Sequence, residues 1–278
     1  MEKEITILNL TTPTGSFESL LVLLPIFFIV SFFYSSVGFA GGSSYTAILV
    51  LAGVDLFAVP PLALILNIAA ASMAFINYLR AGHLSIKFAL PFLSSVPFAF
   101  LGGTVTLPEK DLALVFVIAL FAASAALLIS SRNFWRHYYY EDKRNHKLLN
   151  KLKNSKFIFL LGLPVGAILG SIAGLVGIGG GIWLSPLLIL TGLAEPKRAA
   201  ATASMFILVN SVSGLIAHSL SKHIDFLFLV PLLLTVLAGG LLGSKIGAFK
   251  FNHDRVRTIV GILVAVAGVV IMFRTYFS

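Results

Sequence analysis

Along most of this chain polar residues are confined to narrow gaps between long apolar runs. The runs fall at about 17–37, 44–54, 58–79, 86–107 and 111–130, and again at about 157–176, 182–193, 198–221, 225–249 and 256–276, with a polar stretch at 131–156 between the two sets. Most approach the roughly 20 residues that a helix needs to cross a hydrocarbon core about 30 Å thick. Two runs, 44–54 and 182–193, are too short for a comfortable span unless they borrow flanking glycines, and they occupy the same place in each set. The pattern predicts an all-α, polytopic integral membrane protein in three parts. These are a first transmembrane repeat (1–130), a loop (131–156) and a second transmembrane repeat (157–278).

The two halves share more than their segment order. With an offset of 139, Val37-Gly38 falls on Val176-Gly177, Gly41-Gly42 on Gly180-Gly181, and Gly53 on Gly192; one further residue of offset aligns His83 with His223, Pro91 with Pro231 and Gly103 with Gly243. Each short run follows a glycine-rich break, Val37-Gly-Phe-Ala-Gly-Gly-Ser43 in the first half and Val176-Gly-Ile-Gly-Gly-Gly-Ile182 in the second. Glycine interrupts a helix and lets its backbone approach a ligand, and paired interruptions in two halves are how many transporters build a midplane site. A different pattern, Gly162, Gly166 and Gly170 at a spacing of four, predicts a small-residue face for close helix packing.

Composition narrows the class. Of the 278 residues 58% are hydrophobic and only 11% charged, and the mean hydropathy is +0.99, against about 45–50% apolar and about 25% charged in soluble domains. With no cysteine there is neither a disulfide framework nor a thiolate metal site. The net charge of +9 would suit nucleic acid on a soluble surface, but the basic residues here lie between apolar runs. Residues 1–18 lack the basic n-region and small-residue cleavage site of a secretory signal, so the first apolar run is expected to be retained.

Basic residues then set the orientation. The stretch at 131–156 carries Arg132, Arg136, Lys143, Arg144, Lys147, Lys151, Lys153 and Lys156, which the positive-inside rule assigns to the cytoplasm. If all ten segments cross, 16 of the 20 basic residues lie inside; if each short run merely continues its neighbour as one broken helix, the division falls to 13 against 7. An odd number of crossings per half fits better, and odd parity inverts the two halves relative to each other. The expectation is two inverted-topology repeats of about five helical segments each, with short half-helices after the glycine-rich breaks and one break approaching the site from each leaflet.

Backbone freed at membrane depth is tolerable only where protein or a water-filled cavity satisfies it. The N-terminus of each short helix offers unpaired N–H groups and a partial positive charge of about half an electron, which suits an anion. The candidate binding residues are therefore the backbone of Gly41, Gly42, Ser43 and Ser44 and of Gly179, Gly180, Gly181 and Ile182, with the side chains of Ser43, Ser44, Tyr45, Asn67, Ser185, Thr202, Ser204 and Asn210 nearby. For the hydroxyls, bonding to their own helix is the competing role; for Asn67 and Asn210, whose amides are costly to bury alone, ligand and scaffold roles stand even.

Other chemistry is sparse. Neither glycine cluster is followed by Gly-Lys-Ser/Thr, so a P-loop is excluded. Asp55, Glu109, Asp111, Glu195, Asp225 and Asp254 all fall at segment ends, leaving no carboxylate proton relay within a segment. His137 and His146 sit in the loop, and His218 alone among the histidines lies inside an apolar run, where a hydrogen-bonded structural role competes with proton carriage. No metal, cofactor or catalytic residue is expected.

The stretches Gly38-Phe-Ala-Gly-Gly-Ser-Ser44 and Gly174-Leu-Val-Gly-Ile-Gly-Gly-Gly181, the Ala/Thr/Ser-rich helices after Pro60-Pro61 and Lys197-Arg198, and the Leu-Gly-Gly and Leu-Gly-Ser ends at Gly103 and Gly243 give the chain a resemblance. From about residue 20 to 275 it resembles the TauE/SafE family of sulfite and organosulfonate exporters, also called TSUP or DUF81. The resemblance implies a secondary transporter that moves small sulfur-containing anions, such as sulfite, sulfoacetate or related organosulfonates, across the cytoplasmic membrane by alternating access. Its first break, Phe-Ala-Gly-Gly, is less glycine-rich than the second. The expected partners are a small anionic substrate and the lipid bilayer, not nucleic acid, and a homodimer suits a carrier of this size. An anion channel, which would use similar helix ends without alternating access, and a membrane-embedded enzyme are the other classes.

Overall fold

The computed structural model describes residues 17–55, 57–131, 155–219, 226–250 and 253–276, and the regular structure among them is entirely helical. In chain order the helices are α1 (Phe17–Ser36), α2 (Gly42–Leu51), α3 (Val59–Arg80), α4 (Ile86–Ala89), α5 (Ser95–Thr104) and α6 (Glu109–Ser131), then α7 (Ser155–Val176), α8 (Gly181–Leu190), α9 (Pro196–Ser219), α10 (Phe226–Phe249) and α11 (His253–Tyr276). Among the described residues seven helical stretches are long and apolar enough to cross a membrane. The core of the basic loop with His137 and His146, and the pair Lys222 and His223, lie outside the described residues.

The fourth run of the first half is not one continuous α-helix as the pattern suggested. Leu90–Ser94 forms a 3-10 turn between α4 and α5, and the cause is two prolines. Pro91 opens the tight turn, and Pro97 falls in the first turn of α5, where its missing N–H is not required. The counterpart α10 contains only Pro231 and stays unbroken.

Helix directions follow from who touches whom. Gly162, Gly166, Gly170 and Gly174 of α7 lie in turn against Pro91, Phe92 and Ser94, Ser95 and Ala99, so α7 runs parallel to the Leu90–Ser94 turn and α5. Likewise Gly239, Gly243 and Gly247 of α10 meet the backbone of Phe28, Phe32 and Ser36, so α10 runs parallel to α1. At these positions a methyl group would overlap a neighbour's backbone or proline ring, and that close approach is what small residues provide in helix pairs that lack a hydrophobic driving force. The spacing-of-four face read from the sequence is thus a packing face. One register differs: Gly102 against the Ser171 carbonyl, not Gly103, is the counterpart of Gly243 against the Phe32 carbonyl, because 32 and 171 are the pair related by 139.

The central helices run the other way. Ala200 and Ala201 at the start of α9 cluster with Ala74 and Tyr78 near the end of α3, whereas Gly214 near the end of α9 meets Leu64 near the start of α3. α3 and α9 are therefore antiparallel. In α6 and α11, Gly261 meets Leu127 and Leu128 while Gly268 meets Leu120 and Phe121, which is antiparallel again. Exchanging the halves maps α1–α10 onto α7–α5, α3–α10 onto α9–α5 and α2–α11 onto α8–α6, and returns α3–α9 and α6–α11 to themselves. Equivalent helices that run antiparallel are what inverted-topology repeats require, and the arrangement is consistent with them.

Both ten-residue helices measure about 15 Å, half of a hydrocarbon core. α2 doubles back beside α1, since Tyr45 stacks on Phe27 at 5.1 Å between ring centroids. It does not continue α1 as one broken helix. Arg198 at the start of α9 lies 4.4 Å from the Phe88 ring centroid in α4, a cation–π contact that puts these two helix starts on the same side. A chain with eight crossings would separate them. Outside this core, Leu160, Ile168, Leu234, Ile118 and Phe273 are each more than half exposed, forming an apolar belt suited to lipid.

The cysteine-free background makes sidedness testable. Single cysteines at Lys87 and Lys197 are expected to react with an impermeant maleimide from the same face of the membrane, and a cysteine at Lys110 from the other. Labelling of Lys87→Cys and Lys197→Cys from opposite faces would contradict the odd parity.

Candidate functional site

Each break begins as a helix C-terminus that glycine ends. Gly38 has φ 81°, and its N–H reaches Ser35 O at 3.1 Å while the Phe39 N–H reaches Tyr34 O at 2.9 Å, a Schellman turn. In the second half Gly177 has φ 75°, with its N–H 3.0 Å from Ala173 O. Each break ends as a helix N-terminus capped by another left-handed glycine, Gly41 (φ 107°) for α2 and Gly180 (φ 77°) for α8. No side chain caps either helix. A Cβ at positive φ is strained, so these turns belong to glycine.

The breaks enter from opposite ends of the α3–α9 pair. Gly38 lies against Ala200 at the start of α9, and Gly177 against Pro60 at the start of α3. They meet midway, at Asn67. The Asn67 Nδ2 donates to the Gly177 carbonyl oxygen at 3.2 Å, and the same amide is in contact range of Gly42 and Gly179. Asn67 is fully buried, and its Oδ1 has no hydrogen-bond partner. On the facing helix the buried Ser211 Oγ, also without a partner, lies beside Gly179.

Between the breaks is a cavity of about 10 Å³, room for a single water at most. Tyr34, Phe39, Ala40, Gly41, Gly42 and Ser43 line it from the first half, and Ile178, Ile182 and Ile207 from the second. The Tyr34 hydroxyl lies 3.1 Å from Ser43 Oγ and 2.6 Å from Ser44 Oγ, so three hydroxyls share hydrogen bonds at the start of α2. The side chains of Tyr34, Phe39, Ser43, Ile178, Ile182 and Ile207 that line this small cavity are themselves buried.

The remaining sequence candidates distribute as follows. Gly179, Gly180 and Gly181 pack against α9 at Ile207, Phe206 and Ala203, which leaves no room for side chains. Ser185 is buried with its Oγ unpartnered, as is Thr46, the residue 139 earlier, and neither lines the cavity. The Thr202 and Ser204 hydroxyls donate to their own helix, at Arg198 O (2.9 Å) and Ala201 O (2.9 Å). Asn210 is fully buried with neither amide atom partnered; of its turn neighbours, Phe206 meets Gly180 of the second break, while Ser213 and Ala217 meet α5. Trp183 turns to α6, where its indole N–H reaches Ala119 O at 3.1 Å. The His218 Nε2 lies 2.9 Å from Gly174 O, one turn before the second break.

A model of the family described as "Sulfite exporter TauE/SafE" matches residues 23–271, a range that includes both breaks and every helix that frames them. The chain belongs to the TauE/SafE family. It is similar to the probable membrane transporter protein y4hK of Sinorhizobium fredii, 29% identical over 252 residues that cover 89% of this chain and 96% of the relative. It is also similar to the probable membrane transporter protein YunE of Bacillus subtilis, 30% identical over 42% of this chain and 43% of that one. A probable membrane transporter protein of Xylella fastidiosa is 32% identical over 38% of this chain and 41% of its own length. No solved structure matches. Like these relatives, the chain is a multi-pass membrane transporter and not an enzyme.

In this TauE/SafE protein Gly41, Gly42, Ser43 and Ile182 are the sequence candidates that line the cavity, and Tyr34, Phe39, Ala40, Ile178 and Ile207 line it without having been candidates. The signal for Tyr34 is a lone hydroxyl-bearing aromatic in α1 at nine and ten residues before the serine pair. Arg257 was counted among loop cations, but it is fully buried in α11 and donates to Pro196 O at 3.3 Å, tying α11 to the start of α9.

Replacing Asn67 by alanine is expected to destabilise the purified protein by about 0.6–1.7 kcal/mol, the range for interhelical hydrogen bonds in membranes. Thermal unfolding in detergent checks this. A variant as stable as wild type would show that the bond to Gly177 does not hold the breaks together.

Proposed function

We propose that this protein is a secondary transporter of small sulfur-containing anions, with sulfite, sulfoacetate and related organosulfonates as the substrate class. The anion is held at the meeting of the two breaks and released by movement of one repeat against the other. The observation that carries this reading is the convergence of two break-derived helices, α2 and α8, on one cavity with neither N-terminus capped by a side chain. First-turn N–H groups without helical partners, backed by the helix dipole, favour an anion without burying a cation. Ser43, Ser44 and Tyr34 add hydroxyl donors at the same place.

The substrate part of the reading also draws on the family description, sulfite exporter. A cavity of about 10 Å³ is too small for the anion, so the breaks must separate to admit it, as alternating access requires. The positive-inside rule puts the loop at 131–156 on the cytoplasmic side, and the family description, sulfite exporter, supports outward movement across the cytoplasmic membrane. The anion is held by backbone N–H groups at the helix starts and by the hydroxyls of Ser43, Ser44 and Tyr34.

Sulfite, sulfate, sulfoacetate, taurine and carboxylates are to be titrated against the purified protein by thermal shift. A sulfur oxyanion or sulfonate is expected to stabilise wild type, with at least a fivefold weaker apparent affinity in Ser43→Ala. Absence of binding by every anion, or unchanged binding by that variant, sinks the site. In proteoliposomes, substrate on the trans side is expected to accelerate uptake; flux that never saturates and ignores trans substrate would instead identify a channel.

A further inference from the structure

Away from the glycine breaks, the C-terminal ends of α3 and α10 are held together by side-chain bonds that fix which residues stand side by side. Asn77 Nδ2 donates to Ser244 Oγ at 2.8 Å and to Leu241 O at 3.3 Å. Gly240 lies against Ala70 one stage earlier, and His83, in the turn after α3, places Nε2 3.1 Å from Ala248 O one stage later. The two helices therefore run parallel and end together. One side of the pair is covered by α1: Tyr78, one residue past Asn77, donates to Ser36 O at 2.8 Å, and Gly243, one before Ser244, packs on Phe32. Since each residue turns about 100° around a helix, Ile76 and Arg80 of α3 and Leu241 and Lys245 of α10 fall on the other side.

That side is uncovered. Ile76 is 37% and Leu241 46% exposed, against 0% for Tyr78, and Arg80 and Lys245 are exposed as well. The result is a lipid-facing groove with an apolar floor and two cations at one end. Lys245 stands four residues before the end of α10, about 6 Å short of it, so its stem runs along the groove while its ammonium reaches headgroup depth. Neither helix contains Asp or Glu, and neither does the turn 81–85, so these segments supply no counter-charge.

The repeat provides a comparison. Exchanging the halves carries the Asn77–Ser244 contact onto Ala217 against Gly103, and it carries Lys245 onto Thr104 and Arg80 onto Leu220. The equivalent place near the other leaflet has no cation at either position, so the packing of such a helix pair does not require them. The positive-inside rule puts Arg80 and Lys245 at the cytoplasmic leaflet, where anionic lipids are concentrated and where basic pockets between membrane helices bind their headgroups.

We propose that the outer groove between α3 and α10 is a binding site for an anionic phospholipid, its phosphate held between Arg80 and Lys245 and an acyl chain laid over Ile76 and Leu241. The occupant is a lipid and not a free phosphate because the cations close the end of an apolar groove that opens to the bilayer. The site does not depend on which substrate is transported.

The test is native mass spectrometry of the full-length protein in neutral detergent, titrated with phosphatidylglycerol or with phosphatidylcholine of the same acyl chains. The first phosphatidylglycerol is expected to bind wild type at least tenfold more tightly than the first phosphatidylcholine. Arg80→Gln and Lys245→Gln are each expected to weaken phosphatidylglycerol about fivefold, the factor for one cation at an anionic headgroup, and to leave phosphatidylcholine unchanged. Lys87→Gln, which removes an exposed cation from α4 at the same face of the membrane, is expected to change neither. Equal binding of the two lipids by wild type, or phosphatidylglycerol binding that survives both variants, overturns the inference. So does an equal loss in Lys87→Gln, the mark of diffuse surface attraction, or displacement of the lipid by inorganic phosphate at equal concentration, the mark of a simple anion site. The wild-type preference decides the matter even where a variant does not fold, and every one of these outcomes leaves the transport reading standing.

Discussion

The backbone of two interrupted helices must be satisfied at a depth where a bilayer offers no water; turn hydrogen bonds satisfy most of it, and one side chain joins the two breaks. Asn67 donates to the carbonyl of Gly177 in the second break while lying against Gly42 in the first. Because it belongs to α3, it links a helix of one half to the interruption of the other. Around it the halves interlock through backbone-to-backbone approach: α10 lies along α1 and α7 along α5, each with glycines where a methyl would overlap the partner. The helices nearest the site are thus fixed by contacts that tolerate almost no substitution, and the void between them is small as a result.

That geometry explains how the site carries no buried full charge of its own. Ser43, Ser44 and Tyr34 are neutral, and the helix N-termini supply only partial positive charge. If the substrate is the anion proposed above, an empty carrier can rearrange without moving an ion through hydrocarbon, and the bound anion supplies the one charge present. The fully buried Arg257 lies at the other end of α9, bonded to Pro196 O, and braces the packing of α11 there.

Much of the fold was legible because membrane segments announce themselves by length and hydropathy. The glycine offset of 139 located both breaks, and Gly38, Gly41 and Gly53 share positive φ with Gly177, Gly180 and Gly192. Odd parity, read from loop charges, agrees with the contact of Arg198 with Phe88. The 3-10 turn at Leu90–Ser94 was not legible, since Pro91 in α4–α5 and Pro231 in α10 look alike in sequence while only one run carries a second proline, Pro97. At the site, spacing identified the glycines, Ser43 and Asn67, but it says nothing of rotamers. Thr202 and Ser204 turn to their own helix, and Ile178 and Ile207 cannot be told from any other apolar residue until the second break and α9 are placed.

The inequality of the two breaks has a bearing on energetics as well as on recognition. If the halves were identical in sequence, exchanging their roles would convert one access state into the other at no cost in free energy. The hydroxyl bonds of Tyr34 to Ser43 and Ser44 have no counterpart at Ala173, Ile182 and Trp183. Exchange therefore makes or breaks bonds in one half only. In a carrier that alternates as proposed, the chain itself would tilt the balance between its two faces before any substrate arrives, and a gradient would work against or along that built-in slope.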